Sequence, residues 1–127
     1  MELSVTKRFT FEACHFLPDY EGKCSKLHGH SYKLYVTLSG EVVDEGNNKG
    51  MVMDFAEIKK LVKEDIIGKL DHSTLNDFYD TPTAEVMVSD IFHTLKCKLK
   101  DRTAKEGIRV SSVKLWETED SYAEAKE

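Results

Sequence analysis

From residue 3 onward apolar and polar side chains alternate, with Leu3, Val5, Phe9, Phe11 and Ala13 on one parity and Ser4, Thr6, Arg8, Thr10 and Glu12 on the other. This alternation predicts a half-buried strand over residues 3–15, because successive side chains of a strand leave opposite faces. Lys7 interrupts the apolar set, and its stem can pack over a core while its ammonium reaches out. His15 shares the parity of Phe11 and Ala13, which places an imidazole at the end of an apolar stripe.

A second alternating run extends from His28 to about Val43. Tyr32, Leu34, Val36 and Leu38 continue the parity of His28 and His30, while Ser31, Lys33, Thr37 and Ser39 take the other face. Residues 44–50 form a polar turn with two glycines and two asparagines, after which Met51-Val52-Met53 reads as a hairpin partner strand. Asp54 is placed to cap a helix, with Glu57 three residues on, and Phe55, Ile58, Leu61, Val62, Ile66 and Leu70 follow at helical spacing.

Pro82-Thr83-Ala84-Glu85 opens a second helix, Glu85 sitting near its positive N-terminal end and Lys96, Lys98 and Lys100 near the other. Its buried stripe is Ala84, Met87, Val88, Ile91, Leu95 and Leu99. Residues 101–107 read as a charged connection and 108–118 as the last strand, in which Glu117 continues the stripe of Val113 and Leu115. From Glu119 onward the charged tail is expected to fray. The order predicts an α+β domain with a four-stranded, mostly antiparallel sheet and two helices packed on one face. Four strands leave open edges, so self-association is expected to cover them.

At 127 residues and 40% hydrophobic, the chain suits one domain spanning residues 1–127. A net charge of −5 argues against a nucleic-acid partner, and no apolar run approaches the roughly 18 residues of a membrane helix. Cys14, Cys24 and Cys97 are an odd set without paired spacing, which fits free thiols and a cytoplasmic setting.

The chemistry concentrates in Cys24-Ser25-Lys26-Leu27-His28-Gly29-His30. In a strand the two histidines share a face, and with His15 they offer three imidazoles to one cation: an open zinc site of the catalytic type. Cys24 has three readings: a thiolate favoured by the cation and by Lys23 and Lys26, acting as base or nucleophile; a fourth ligand closing the site; or an inert loop thiol. Asp71-His72 is either a general acid/base pair or a capping turn with a solvated imidazole. Cys14 has the wrong parity for the His15 face, and Cys97 lies among helix lysines. His93 reads as a helix-surface histidine.

Taken together, Cys24-x-x-x-His28-Gly29-His30 with His15 upstream, Gly50-Met51-Val52-x-Asp54-Phe55, Leu70-Asp71-His72-x-x-Leu75-Asn76, Pro82-Thr83-x-Glu85 and Glu117-Thr118 resemble the 6-pyruvoyltetrahydropterin synthase superfamily, over nearly the whole chain. The three residues between the cysteine and His-Gly-His resemble the 6-carboxytetrahydropterin synthases of queuosine-precursor biosynthesis. The resemblance implies the tunnelling fold, in which sheets from three subunits close a barrel and two trimers stack into a homohexamer with active sites between subunits.

It further implies zinc on His15, His28 and His30, Cys24 as catalytic base, Asp71 with His72 as the second acid/base group, and Glu117 as the carboxylate anchoring a pterin. Thr83 and Glu85 are implied as pocket residues, although a helix start explains both. The implied reaction takes 7,8-dihydroneopterin triphosphate to 6-carboxy-5,6,7,8-tetrahydropterin, acetaldehyde and triphosphate. No basic residue is singled out for the triphosphate; Arg8, Lys23 and Lys26 are candidates by proximity. The rivals are a pyruvoyl-forming or otherwise dihydroneopterin-cleaving relative, and a non-catalytic zinc-binding protein closed by Cys24.

Overall fold

A computed structural model describes residues 1–127. Strand β1 (Leu3–His15) pairs antiparallel with β2 (His28–Gly40) along its whole length, so that His15 faces His28 and Ala13 faces His30 across the ladder. Helix α1 (Phe55–Val62) runs on through a π turn, Lys63–Ile67, into a last α turn, Gly68–Leu70. Just past that π turn a Cβ on Gly68 would lie 3.0 Å from the carbonyl oxygen of Lys63, so glycine suits the position. Strand β3 (Ser73–Thr74) pairs parallel with Ala13 and Cys14 of β1. Then follow helices α2 (Ala84–Lys98) and α3 (Lys100–Glu106) and strands β4 (Arg109–Trp116) and β5 (Tyr122–Lys126).

The sheet order is β3-β1-β2-β4-β5, mixed and five-stranded in place of the expected four antiparallel strands. Three differences produce it, the first being β3, whose parallel pairing with Ala13 and Cys14 no alternation announces and which makes the sheet mixed. The tail does not fray: Tyr122–Lys126 pairs antiparallel with β4, and Ala123 and Ala125 pack against the core. Met51–Met53 forms no strand; the polar turn closes instead through Val43 N–H to Met51 O at 2.9 Å and Gly50 N–H to Val43 O at 2.9 Å. Residues 101–107, expected as a connection, lie mostly in α3, which ends on Gly107 in the left-handed region at φ 74°. Asp54 does cap α1, accepting from Ala56 N–H at 2.9 Å, but the Glu57 carboxylate turns to Arg102 rather than back to the cap.

The core lies between one sheet face and the helices. Phe11, Tyr32, Leu34, Val36, Leu38, Val113 and Leu115 meet Ile58, Val62, Leu70, Met87, Ile91 and Leu95 in a single buried cluster. Phe55, expected in the α1 stripe, is exposed. Lys7 is half-buried with its Nζ 6.0 Å from the centre of the Phe9 ring, as a packed stem requires. The other sheet face carries no helix. β3 covers β1 only at residues 13 and 14, so the rest of the β1 edge and the outer edge of β5 are open.

Candidate active site

Where β1 ends and β2 begins, the three imidazoles converge. One ring nitrogen from each of His15, His28 and His30 can be chosen so that all lie within 4.8 Å of one another. The β ladder produces this, because directly paired residues share a face. Two of the rings are oriented by backbone. Nδ1–H of His15 donates to the carbonyl oxygen of Pro82 at 2.8 Å, and Nδ1–H of His28 to that of Lys26 at 2.7 Å. Donation at Nδ1 leaves Nε2 with its lone pair, the tautomer a metal ligand needs.

The third ring supplies the test of fit. His30 Nε2 is buried and has no hydrogen-bond partner; Oε1 of Glu117 is 3.3 Å away but off hydrogen-bonding geometry. A buried orphan nitrogen is costly unless something binds it. Burial holds the His30 pKa below the ordinary histidine value; the Glu117 carboxylate pulls it up, and His15 and His28 push it down. A neutral imidazole, two pre-oriented neighbours and an unsatisfied nitrogen together suit a divalent cation with nitrogen preference.

Cys24 sits half-buried in a short 3-10 turn, Lys23–Ser25, tied to the loop by Leu17 N–H donating to its carbonyl oxygen at 2.7 Å. It is not a member of the three-histidine cluster. Glu117 follows β4 and, with Glu85 at the start of α2, lines a cavity of about 520 Å³ against β5. Thr83 is the N-cap of α2, its hydroxyl accepting from Val86 N–H at 3.2 Å.

Asp71 and His72 are not brought to the histidine cluster. Alternation sends the side chains of Glu12, Cys14 and Ser31 to the face opposite those of His15, His28 and His30, and His72 joins them around a cavity of about 480 Å³ whose lining also takes in Gly29, Ala13 and His30 of the intervening ladder. There Asp71 Oδ1 accepts from Glu12 N–H at 2.9 Å and lies 3.0 Å from His72 Nδ1, while His72 N–H donates to Glu12 O. His72 takes φ 60°, the one non-glycine residue with positive φ. The Glu12 N–H bond, and then the hydrogen bond and charge of His72, hold the Asp71 carboxyl below the usual carboxylate range. Arg8 lies seven residues up β1 from His15, about 23 Å along a strand, so a single chain does not bring it to the cluster.

Sequence reading missed the scaffold of the site. Asn76 clamps the residue after His15, its Oδ1 accepting from Phe16 N–H at 3.0 Å and its Nδ2 donating to Phe16 O at 2.9 Å. The Pro82 and Lys26 carbonyls carry no side-chain signal at all.

A sequence profile described as 6-pyruvoyl tetrahydropterin synthase matches residues 4–127. The chain belongs to that family. It is 34% identical to the 6-carboxy-5,6,7,8-tetrahydropterin synthase of Haemophilus influenzae over 97% of this chain and 98% of that protein. It is also 32% identical to the dihydroneopterin monophosphate aldolase of Pyrococcus furiosus, over 92% and 91% respectively. Its fold matches Caenorhabditis elegans 6-pyruvoyl tetrahydropterin synthase with a TM-score of 0.83 at 25% identity, covering 100% of this chain and 96% of that one. The fold is therefore the tunnelling fold of this family, with one more strand than the alternation of the sequence predicts. No helix is long and apolar enough to cross a membrane.

Proposed function

We propose that the protein is a zinc-dependent lyase converting 7,8-dihydroneopterin triphosphate to 6-carboxy-5,6,7,8-tetrahydropterin, acetaldehyde and triphosphate, a step of 7-deazaguanine (queuosine precursor) biosynthesis. The observation that carries the reading is the buried, unpartnered Nε2 of His30 beside two imidazoles whose Nδ1 atoms are already committed to carbonyls. Family membership and the 6-carboxytetrahydropterin synthase of Haemophilus influenzae support the substrate class.

His15, His28 and His30 would hold the zinc, which when bound polarises a substrate oxygen and acidifies the neighbouring carbon. The rest falls to side chains of this protein. Glu117 accepts the adjacent N–H donors of the pterin edge in a bidentate way and orients the ring. Cys24 takes a proton from the side-chain carbon. His72, held by Asp71 through Nδ1, exchanges a proton at Nε2. Triphosphate leaves from the terminal side-chain carbon and the terminal two carbons depart as acetaldehyde. Water supplies the second oxygen of the carboxylate, and oxidation of the first side-chain carbon balances reduction of the ring, so no nicotinamide is needed.

Because Asp71 and His72 sit on the sheet face opposite the histidine cluster, this reading needs a second copy to complete each site. A homohexamer, a dimer of trimers with sites between subunits, meets that need and covers the open β1 and β5 edges. Three free cysteines suit a cytoplasmic setting.

The test is mass spectrometry of the products formed from 7,8-dihydroneopterin triphosphate by zinc-replete protein, with acetaldehyde assayed in parallel. Acetaldehyde with 6-carboxytetrahydropterin is expected, and a pyruvoyl product would move the assignment to the pyruvoyl-forming branch. The similarity to a dihydroneopterin monophosphate aldolase favours one other reading, in which the monophosphate is cleaved and no triphosphate appears.

A further inference from the structure

The core cluster of 24 buried residues contains a single side-chain oxygen, the hydroxyl of Tyr32, a residue with no solvent exposure. A buried phenol is costly unless its hydroxyl finds a partner, and phenylalanine would fill the same volume without that cost. Tyr32 lies one step inward from His30 on the same face of β2 and pairs directly with Phe11 of β1, on whose ring it stacks at 4.8 Å with 9° between the planes. Its hydroxyl makes one hydrogen-bond contact, 3.4 Å to Nδ1 of His15.

That nitrogen already has a closer partner, the carbonyl oxygen of Pro82 at 2.8 Å. A carbonyl can only accept, so the Nδ1 proton points to Pro82, and the phenol oxygen takes a share of it as a second acceptor. The reverse arrangement, with the phenol donating to a bare Nδ1, would set the Pro82 carbonyl against a nitrogen lone pair and move the ring proton to Nε2. No cation could then bind there. Tyr32 also meets the His15 and His30 rings edge-on, with planes at 88° and 73° and centroids 6.3 and 5.6 Å away. One core side chain therefore packs against two of the three imidazoles.

We propose that Tyr32 is a positioning residue of the three-histidine metal site: its hydroxyl reinforces His15 in the Nδ1–H form, and its ring fixes the planes of His15 and His30. The inference rests on the metal reading of the cluster and not on the reaction assigned to it. A partner on the second nitrogen of a ligating imidazole orients the ring and raises its basicity, and losing one weakens metal binding by about 10- to 100-fold. Pro82 acts through its backbone, so Tyr32 is the one side chain at that nitrogen whose contribution a substitution can remove. The contact lies inside the core of a single chain and is indifferent to the assembly around it.

Tyr32→Phe deletes the hydroxyl and leaves the ring in place. Zinc affinity of the full chain, wild type and variant, is measured by competition with a chromophoric chelator, alongside the ligand-field spectra of the cobalt(II) forms and the Tm of both proteins without metal. Zinc binding about tenfold weaker in Tyr32→Phe is expected, at the low end of the range because Pro82 remains, with an altered cobalt spectrum and an unchanged metal-free Tm. A hydroxyl that serves only the core would lower the Tm and leave the affinity alone. Equal zinc affinity in the two proteins overturns the proposal while leaving the metal reading intact, whereas a wild-type protein that binds neither zinc nor cobalt overturns both. Long-range ¹⁵N–¹H NMR of metal-free wild-type protein tests it without any variant: His15 is expected to carry its proton on Nδ1, and a proton on Nε2 overturns the proposal.

Discussion

His15 and Pro82 are 67 residues apart in sequence and joined by a 2.8 Å hydrogen bond from the imidazole Nδ1 to the proline carbonyl. The contact fixes the tautomer of a ring at the end of β1 from the segment that leads into α2. It thereby links the second helix to the histidine cluster. Proline suits the position because its fixed φ fits the tight turn in which Thr83 N–H donates to Thr81 O at 2.8 Å, just ahead of the Thr83 cap.

If the cluster holds zinc through its three imidazoles, His15→Ala, His28→Ala and His30→Ala each lose stoichiometric metal, read by inductively coupled plasma mass spectrometry after dialysis. Cys24→Ala is expected to keep the metal and to lose turnover by about 10²- to 10⁴-fold, the usual weight of a positioned proton-transfer group. Loss of zinc from Cys24→Ala would instead support a closed, non-catalytic site.

Glu117 makes opposite contributions at the site. It raises the His30 pKa by its charge, against the larger effect of burial, and in the proposed reaction it anchors the pterin. Glu117→Gln removes a charge-assisted contact of about 1.5–3 kcal/mol, so KM is expected to rise roughly 10- to 150-fold. The same change lets the His30 pKa fall further, which NMR of the imidazole in metal-free protein would detect.

In the metal-free protein the folded His30 pKa lies below its unfolded value of about 6.5. The unfolded chain therefore binds more protons between the two values, and stability must rise with pH there. The contribution of His30 is intact above pH 6.5 and is lost as pH falls through the folded value. Urea midpoints measured between pH 5 and 7.5 should decline on the acid side, and His30→Gln should flatten that part of the decline.

Much of this was legible in the sequence. Alternation interrupted only at Lys7 marks the limits of β1, and shared parity puts the three histidines in line with the core stripes. What escaped has physical reasons. Strand β5 alternates too, but its inward residues are Ala123 and Ala125, too small to raise an apolar signal; the β4 edge recruits them. Helix α3 has no buried residue and is held by polar contacts, through the Arg102 pairs with Glu106 and with Glu57 of α1, the Thr103 hydroxyl on Ile108 O and the Gly107 cap. Val52 and Met53 are buried without pairing to any strand, so a run of apolar residues misled where alternation did not. The separation of Asp71-His72 from the histidines depends on which sheet face a loop crosses, which no local pattern encodes.

Thr83 has a structural task that substrate contact is not needed to explain. Thr83→Ala leaves Val86 N–H without its acceptor and should cost about 1 kcal/mol, a fall of a few degrees in Tm by calorimetry. If the hydroxyl also contacts substrate, KM will rise as well. An unchanged KM would restrict Thr83 to capping.

His72 separates backbone from side-chain effects, because its φ of 60° is a conformation that asparagine tolerates and valine does not. Its N–H and the Asp71 carboxylate both engage the backbone of Glu12, so the left-handed turn is what delivers the imidazole beside Asp71. His72→Asn preserves that turn and removes the proton carrier: Tm should hold within about a degree while kcat falls about 10²-fold or more. His72→Val forces a β-branched residue into the same conformation and should lose both activity and about 1–2 kcal/mol of stability. Asp71→Asn should sit between them, keeping the turn through its remaining carbonyl oxygen but no longer holding the His72 Nδ1 proton with a full charge. Normal turnover in His72→Asn would remove His72 from the chemistry and leave it as a turn residue.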